Sequence, residues 1–243
     1  MASRPVRMKW VRRVRLAATI GTGAVLLTCL ILFLTAQHIP AWYVPIHVAD
    51  DKSEQQRVRD SLTEAVDRFR AGLAAGQPFE FRIGDRTINE WVVARAEIYP
   101  ESADWLPAWL NDPVLHFASD GIMVGARYDR DGWKAILSLH FEPQAQAGEP
   151  GIRVQGVEVG SLPVPTSWIR DRLQQSGILG RIRAEHLPGS VRRMFLESPG
   201  DAPANWLPLG ELVRDDSFKV LSVATNPGEL VLNIQPLERR RTR

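Results

Sequence analysis

The longest apolar run in the chain lies close to its N-terminus. Leu16 to Ala36 spans 21 positions without a charged residue. A helix of roughly 20 apolar residues is long enough to cross the hydrocarbon core of a bilayer. Helices of soluble domains usually keep one polar face, and this run has none. The pattern predicts a transmembrane helix over residues 16–36.

Charge is distributed unevenly around this run. Residues 1–49 carry six cations and no acid, so the remainder has 30 − 6 = 24 cations against 28 acids. By the positive-inside rule, residues 1–15 are a basic cytoplasmic tail and the rest of the chain lies outside the cytoplasmic membrane. Trp42 and Tyr43 are predicted to anchor the outer end of the helix at the membrane interface. The net negative remainder argues against nucleic acid as a partner.

A cleaved signal peptide is the alternative. The apolar core of a signal peptide usually has about 7–15 residues and is followed by a small-x-small cleavage site. The run is longer than that, and Leu34-Thr35-Ala36 matches the site poorly. Cys29 is the only cysteine and lies in mid-span, without the small preceding residue of a lipoprotein signal. An uncleaved anchor is favoured, and the outer domain then contains no cysteine.

Hydrophobic periodicity divides the remaining chain into a linker (37–52), one domain (53–236) and a basic tail (237–243), which we expect to be disordered. Ser53 and Gln56 have the spacing of a capping box. The helix that follows carries one apolar stripe at helical spacing, formed by Val58, Leu62, Val66, Phe69 and Leu73. Residues 79–83 alternate as a strand. Thr87 and Glu90 again have capping-box spacing, which predicts a short helix to about Ala96.

The middle of the domain has the period of β-strands. Strands are predicted over residues 113–117, 122–128 and 133–141, because Asp-Gly between alternating runs indicates hairpins. In the third strand Trp133, Ala135, Leu137, Leu139 and Phe141 share one face, while Lys134, Ser138 and His140 share the other. This two-faced pattern is typical of antiparallel sheets with one covered face.

Two glycines mark irregular backbone in the next segment. The apolar phase of residues 152–160 changes at Gly156, which predicts a β-bulge. Gly160 is expected to take an unusual backbone angle. Pro163 and Pro165 cannot donate to a ladder, so we expect them to cap the sheet and lead rigidly into a helix. A last hairpin is predicted over 218–236, turning at Asn226-Pro227-Gly228.

These elements predict an α+β fold, in which a transmembrane helix precedes one domain with a curved, mainly antiparallel sheet packed on amphipathic helices. Their order resembles a YpmS-like family of bacterial single-pass envelope proteins. The residues that carry the resemblance include Thr87 and Asn89, the Asp120-Gly121 turn, and Gly160 with Pro163 and Pro165. Some members resemble tubular lipid-binding domains, in which a curved sheet encloses an acyl chain. The resemblance implies lipid binding by analogy of fold alone, and it brings no catalytic residue.

Catalytic chemistry has little support in the sequence. Common hydrolase, P-loop and zinc-protease motifs do not occur in it, so we expect no enzyme activity, no cofactor and no metal. His116 and His140 are able to meet across a sheet and bind a metal, but two half-exposed strand residues beside aromatics are the favoured interpretation. Asp129 and Asp131 resemble the start of a calcium loop that lacks its other ligands. Glu90, Glu97 and Glu101 are expected to serve capping and surface roles.

Two Trp-Leu-Pro segments are the strongest functional lead. Trp105 and Trp109 lie in one, and Trp206 and Leu207 in the other. They are interpreted either as core-filling loops or as the apolar rim of a binding site. The predicted function is to bind a lipid or another apolar component of the envelope. The alternative is a structural or assembly protein that binds another envelope protein.

The predicted topology is open to a direct test. A reporter enzyme that is active only outside the cytoplasm, fused after Arg243, is expected to be active. N-terminal sequencing of the mature protein is expected to find the intact N-terminus. A mature chain beginning near Gln37 would instead show that the apolar run is a cleaved signal.

Overall fold

The computed structural model describes residues 5–49, 51–98, 109–130, 132–146, 149–165, 206–209 and 217–237. In chain order the elements are α1 (Pro5–Gln37), α2 (Lys52–Ala74), β1 (Phe79–Gly84), α3 (Asp85–Ile98), β2 (Leu110–Ala118), β3 (Gly121–Arg130), β4 (Trp133–Gln146), β5 (Glu149–Val159), β6 (Leu162–Val164), β7 (Trp206–Pro208), β8 (Phe218–Asn226) and β9 (Glu229–Pro236).

The predicted α+β class is confirmed, and the strands form two antiparallel sheets. One sheet has the order β1-β9-β8. The other has the order β2-β3-β4-β5-β6, and β7 also pairs with β5. Strand β8 contacts β2, β4 and β5, so the two sheets meet along it. The predicted last hairpin is present as β8 and β9, whose turn contains Pro227 and Gly228.

Helix α1 contains the apolar run. Its segment Ala18–Gln37 is long and apolar enough to cross a membrane, and the residues of this segment up to Leu34 are exposed. The end of α1 touches the domain through Phe33, which meets Trp133, and through Thr35 and Ala36, which meet Gly160. Ala36 is buried there, whereas Leu34 and the apolar residues before it stay exposed.

The N-cap of helix α2 lies two residues before the predicted one. Its N-cap is Asp51, whose carboxylate accepts from the backbone N–H of Glu54 at 2.8 Å. The predicted cap Ser53 lies inside the helix and donates its hydroxyl to Asp51. The buried stripe is anchored by Phe69, whose ring contacts those of Phe79, Phe81 and Phe218. These contacts pack α2 on the three-stranded sheet.

Helix α3 also starts before its predicted cap. It begins at Asp85, directly after β1, so Thr87 is a helical residue and not an N-cap. The neighbouring Asn89 has the more specific role. Its amide donates to the carbonyl of Leu115 at 2.6 Å and accepts from the Leu115 N–H at 2.7 Å. A primary amide can make both bonds at once, so Asn89 substitutes for a neighbouring strand at the edge of β2.

Phe117, two residues further along this edge, is also paired. The Phe117 carbonyl accepts from the N–H of Gly228 at 2.8 Å, and the carbonyl of Gly228 accepts from the N–H of Asp85. The Asp85 carboxylate in turn lies 3.5 Å from the N–H of Phe117. An exposed strand edge invites pairing with other chains, and here one helix and one turn cover it.

The predicted bulge is present where the sequence changes phase. His140 pairs with Gly156 and Phe141 pairs with Val154, so Gln155 is the extra residue. The bulge does not require glycine at position 156, because Gly156 has no positive φ and a Cβ there would meet no atom. At Gly121, in contrast, a Cβ would collide with the carbonyl oxygen of Phe141.

The corner after β5 is a hairpin and not a direct strand-to-helix joint. Gly160 and Ser161 turn the chain into β6, where Pro163 lies opposite Glu158. Proline is tolerated there because β6 borders the sheet and needs no further donor. Pro165 follows β6 directly. The predicted helix after it lies outside the described residues.

This hairpin turn is pressed against the end of α1. Gly160 has φ +63°, and a Cβ on it would collide with the carbonyl oxygens of Thr35 and Ala36. The Ser161 N–H donates to the Thr35 carbonyl at 3.0 Å, and the Ser161 hydroxyl lies 2.7 Å from Nδ1 of His38. The last carbonyl groups of a helix lack partners within it, so the turn caps α1.

Two glycines a few residues apart therefore provide a matched pair of variants. Gly160→Ala is expected to cost about 1–3 kcal/mol, because it forces a strained φ and separates the turn from α1. Gly156→Ala is expected to be nearly neutral. Thermal unfolding of the full chain in detergent, followed by circular dichroism, measures both. Equal melting temperatures for the two variants would contradict the close contact at Gly160.

Candidate functional site

The six-stranded sheet has two chemically different faces. Register places Phe117, Ile122 and Phe141 in one row, and we call the side that carries them and Trp133, Leu137 and Leu139 the apolar face. The opposite side carries Val114, Gly125 and Ser138 in one row. We call it the Trp42 face, after the side chain that covers it. The alternation predicted for the third strand is therefore present in β4.

The apolar face is only partly covered. Five side chains on it are buried, namely Phe117, Ile122, Ala135, Val154 and Val157. The others are half-buried; they include Val124 and Ala126 of β3 and Leu137, Leu139 and Phe141 of β4. Burial of each such side chain contributes about 1.5–3 kcal/mol. The face thus keeps apolar surface that could still be covered.

One end of the apolar face touches α1. The Trp133 ring lies 6.4 Å from the ring of Phe33, edge to face. The two side chains keep 46% and 44% of their surface exposed, respectively. Phe33 belongs to the apolar segment that ends at Gln37. The apolar row of β4 therefore begins beside the apolar helix, and it continues to Phe141 over about 26 Å at 3.3 Å per residue.

The described parts of the predicted site lie near opposite ends of the six-stranded sheet. Trp109 is half-buried, and its ring lies 5.5 Å from that of Tyr128, which pairs with Ala135 near the α1 end. The backbone of Trp206 and Leu207 forms β7 and pairs with β5 at Arg153 and Ile152, near the opposite end. Trp105 lies outside the described residues. The structure does not bring Trp109 and β7 together.

The Trp42 face is closed by the linker. Tyr43 is buried at 6% exposure among Val114 and Ile136, with Trp42 packed beside them. A Cβ on Gly125 would collide with the Trp42 ring. Trp42 and Tyr43 are therefore part of the domain, and the prediction that they anchor the chain at a membrane interface is wrong. Sequence reasoning missed Gly125, although a glycine inside a strand often marks such a close approach.

A hydrogen bond from the phenol of Tyr43 attaches the linker to the domain. It donates to the backbone carbonyl of Asp112 at 2.7 Å. Burial, followed by the negative charge of Asp112, raises the pKa of Tyr43 to about 12. The group therefore stays neutral and keeps its hydrogen bond at every physiological pH.

The two strand histidines lie under Trp42. His116 and His140 flank Met123 in one row of the sheet, and the Trp42 ring stacks on the first and meets the second edge-on, each at 6.4 Å. His116 Nδ1 lies 3.2 Å from the Asp85 carboxylate. No group of three metal-ligating side chains occurs among the residues that the structure describes. The indole occupies the space between the rings.

Asp129 of the calcium-like turn and Glu90 each form ion pairs. The Asp129 carboxylate lies 3.6 Å from Nζ of Lys134, and Asp131 lies outside the described residues. Glu90 is 4% exposed and binds Arg57 at 3.0 Å and Arg86 at 2.8 Å. Glu97 is exposed, and Glu101 lies outside the described residues.

The ion pairs of Glu90 join α2 to α3. Burial opposes ionisation of this carboxyl, but the hydrogen bonds from Arg57 and Arg86 outweigh it and hold its pKa below the usual value. Glu54 also binds Arg57, at 2.6 Å. The arrangement neutralises a buried carboxylate and ties the two helices together, which is a structural role.

Two depressions on the described surface lie away from the apolar face. One of about 520 Å³ follows the charged side of α2, where Asp60, Glu64, Asp67 and Arg68 line it. The other, about 390 Å³, lies beside β8 where Leu221 bulges out of register. Neither combines enclosure with an apolar lining, as a lipid cavity requires.

No protein-family model, curated protein or solved structure matches this chain. The fold and the functional candidates therefore rest on the residues and the geometry described above.

The Glu90 cluster predicts a pH dependence. Because its folded pKa lies below the ordinary 4.5, Glu90 stabilises the fold above that pH, and the contribution is lost as pH falls through the folded value. Glu90→Gln is expected to lower stability by about 1–3 kcal/mol at neutral pH. Its melting temperature is expected to fall less than that of the wild type on acidification. Parallel pH profiles for the two proteins would contradict this role.

Proposed function

We propose that the protein is a single-pass membrane protein, with its N-terminus in the cytoplasm, whose outer domain binds a lipid on its apolar face. The observation that carries the proposal is the continuity between helix and sheet. The apolar row of β4 starts at Trp133 against Phe33 of α1 and continues through half-buried Leu137, Leu139 and Phe141. A lipid leaving the outer leaflet would meet Trp133 first and, beyond the buried Ala135, the half-buried side chains of this row.

The energetics favour an acyl chain over a polar ligand. Covering apolar surface contributes roughly 25 cal/mol per Å², or about 0.8 kcal/mol per buried methylene. The half-buried side chains of β3 and β4 present such surface. The charged side chains of Lys134 and Glu158 belong to the opposite face of the sheet. A sheet that curves around the chain, as the family resemblance implies, would supply the enclosure.

The proposed site residues extend this path at each end. Trp109 packs on Tyr128 near α1, where a rim would meet an entering chain. Strand β7, which contains Trp206 and Leu207, borders β5 near the far end. Trp105 remains a proposed member of the rim. The proposal needs no catalytic group, cofactor or metal.

A second candidate function is to bind another envelope protein, and it rests on a different place. Leu221 bulges from β8 at the border of the three-stranded sheet and keeps 44% of its surface exposed. An exposed apolar residue on a border strand is a common feature of protein contacts.

The lipid proposal is tested with the full chain in nanodiscs of phosphatidylcholine and phosphatidylglycerol. Cys29 is the only cysteine, so Cys29→Ser allows a single bimane label at a chosen position. With nitroxide on the lipid acyl chains, the label at Leu139→Cys is expected to be quenched. The control label at Gln144→Cys, exposed on the opposite parity of β4, is expected to stay bright.

The position of Leu139 separates bound lipid from mere proximity to the bilayer. It lies about 20 Å along β4 from Trp133, whereas the headgroup layer is about 5–8 Å thick on each side. Circular dichroism melting checks that each labelled variant is folded. Equal emission from the two labels in folded variants would exclude a lipid on the apolar face.

A further inference from the structure

The turn between β3 and β4 lies beside α1 at a height inside its apolar segment. Phe33 precedes Gln37, the end of that segment, by four residues, or about 6 Å of helix. Its ring contacts Trp133, the first residue of β4. The indole is therefore level with the outermost turn of the apolar helix.

The junction at Gly160 holds the indole at this height. The Gly160 N–H donates to the carbonyl of Ile136 at 2.7 Å, and the Ser161 N–H donates to Thr35 of α1. Ile136 is three residues from Trp133 on the same strand. A short chain of backbone hydrogen bonds thus connects the end of the helix to the start of β4, so the turn cannot swing away without breaking it.

The residues around the indole have the chemistry of an interface. Trp133 keeps 46% of its surface exposed, and Gly132 beside it is exposed too. The Lys134 side chain is 70% exposed, with Nζ 3.6 Å from Asp129. Tryptophan prefers the boundary between acyl chains and headgroups, and lysine extends its ammonium from there towards phosphates.

We propose that this hairpin tip, formed by Arg130, Gly132, Trp133 and Lys134, is a second membrane contact that inserts the Trp133 indole into the outer interface of the phospholipid bilayer. The proposal rests on the proposed single-pass topology but not on lipid binding by the apolar face. The tip takes the anchoring role that the sequence assigned to Trp42 and Tyr43. It sets the orientation of the domain, with the α1 end of the apolar face directed into the outer leaflet.

The test uses the same full-length Cys29→Ser chain in nanodiscs of phosphatidylcholine and phosphatidylglycerol, now with an NBD label. Lys134→Cys places the label beside an intact Trp133. Asp120→Cys places it in the β2–β3 turn, at the opposite end of β3. A label at Lys134 is expected to emit at shorter wavelength than one at Asp120. A nitroxide near the headgroup end of the acyl chain is expected to quench it more than a nitroxide near the methyl end.

A further substitution tests the indole itself. Trp133→Ser, combined with the Lys134→Cys label, is expected to shift the emission to longer wavelength, because the tip loses its anchor. Matching emission and quenching at Lys134 and Asp120, in folded protein, would overturn the proposal.

The two labelled positions separate this proposal from lipid binding. Quenching at Lys134 without quenching at Leu139 supports the interfacial tip and removes the lipid site. Quenching at Leu139 without quenching at Lys134 overturns the tip and retains the lipid site.

Discussion

The structure depends on a backbone contact that only glycine permits. Gly160 takes φ +63°, and the carbonyl oxygens of Thr35 and Ala36 occupy the space that a Cβ would need. The adjoining Ser161 N–H caps the end of α1, which has no internal partner for its last carbonyls. Because of this contact, the orientation of the sheet follows that of the helix. Trp133, the linker and the apolar face all take their positions relative to α1 from it.

A second constraint is that the backbone groups at the edge of β2 need hydrogen-bond partners. Asn89 pairs with both backbone groups of Leu115, and Gly228 donates to Phe117. These bonds join α3, the β8–β9 turn and the six-stranded sheet. The Glu90 ion pairs then attach α2 to the same helix. Polar contacts therefore join the two sheets at the β2 edge, while β8 also contacts β4 and β5. Part of the apolar face stays half-buried.

Local patterns predicted most of the secondary structure. Alternation gave β4 its two faces, and the phase change located the bulge at Gln155 and Gly156. Helix starts were less predictable. The capping-box spacings at Ser53 and Thr87 predicted later starts, whereas α2 is capped by Asp51 and α3 begins at Asp85. The prolines after Gly160 suggested a corner, while the positive φ and the pairing with β5 produced a hairpin.

The long-range contacts of the candidate site could not be derived from periodicity. Trp42 follows the apolar helix at the distance expected of an interfacial anchor, yet its ring packs on Gly125 of β3. Trp133 has the spacing of an ordinary strand residue, yet it meets Phe33 from a distant part of the chain. Both contacts depend on how the sheet packs against the end of α1. In the sequence, only Gly160 marks that packing.

Native mass spectrometry of the full chain released from nanodiscs tests the central claim most directly. The account predicts that the wild type and Gln144→Glu retain a phospholipid, while Leu139→Glu loses it because a charge then lies on the apolar face. Equal lipid retention by Leu139→Glu and Gln144→Glu, or a bare chain in all three proteins, would contradict the account.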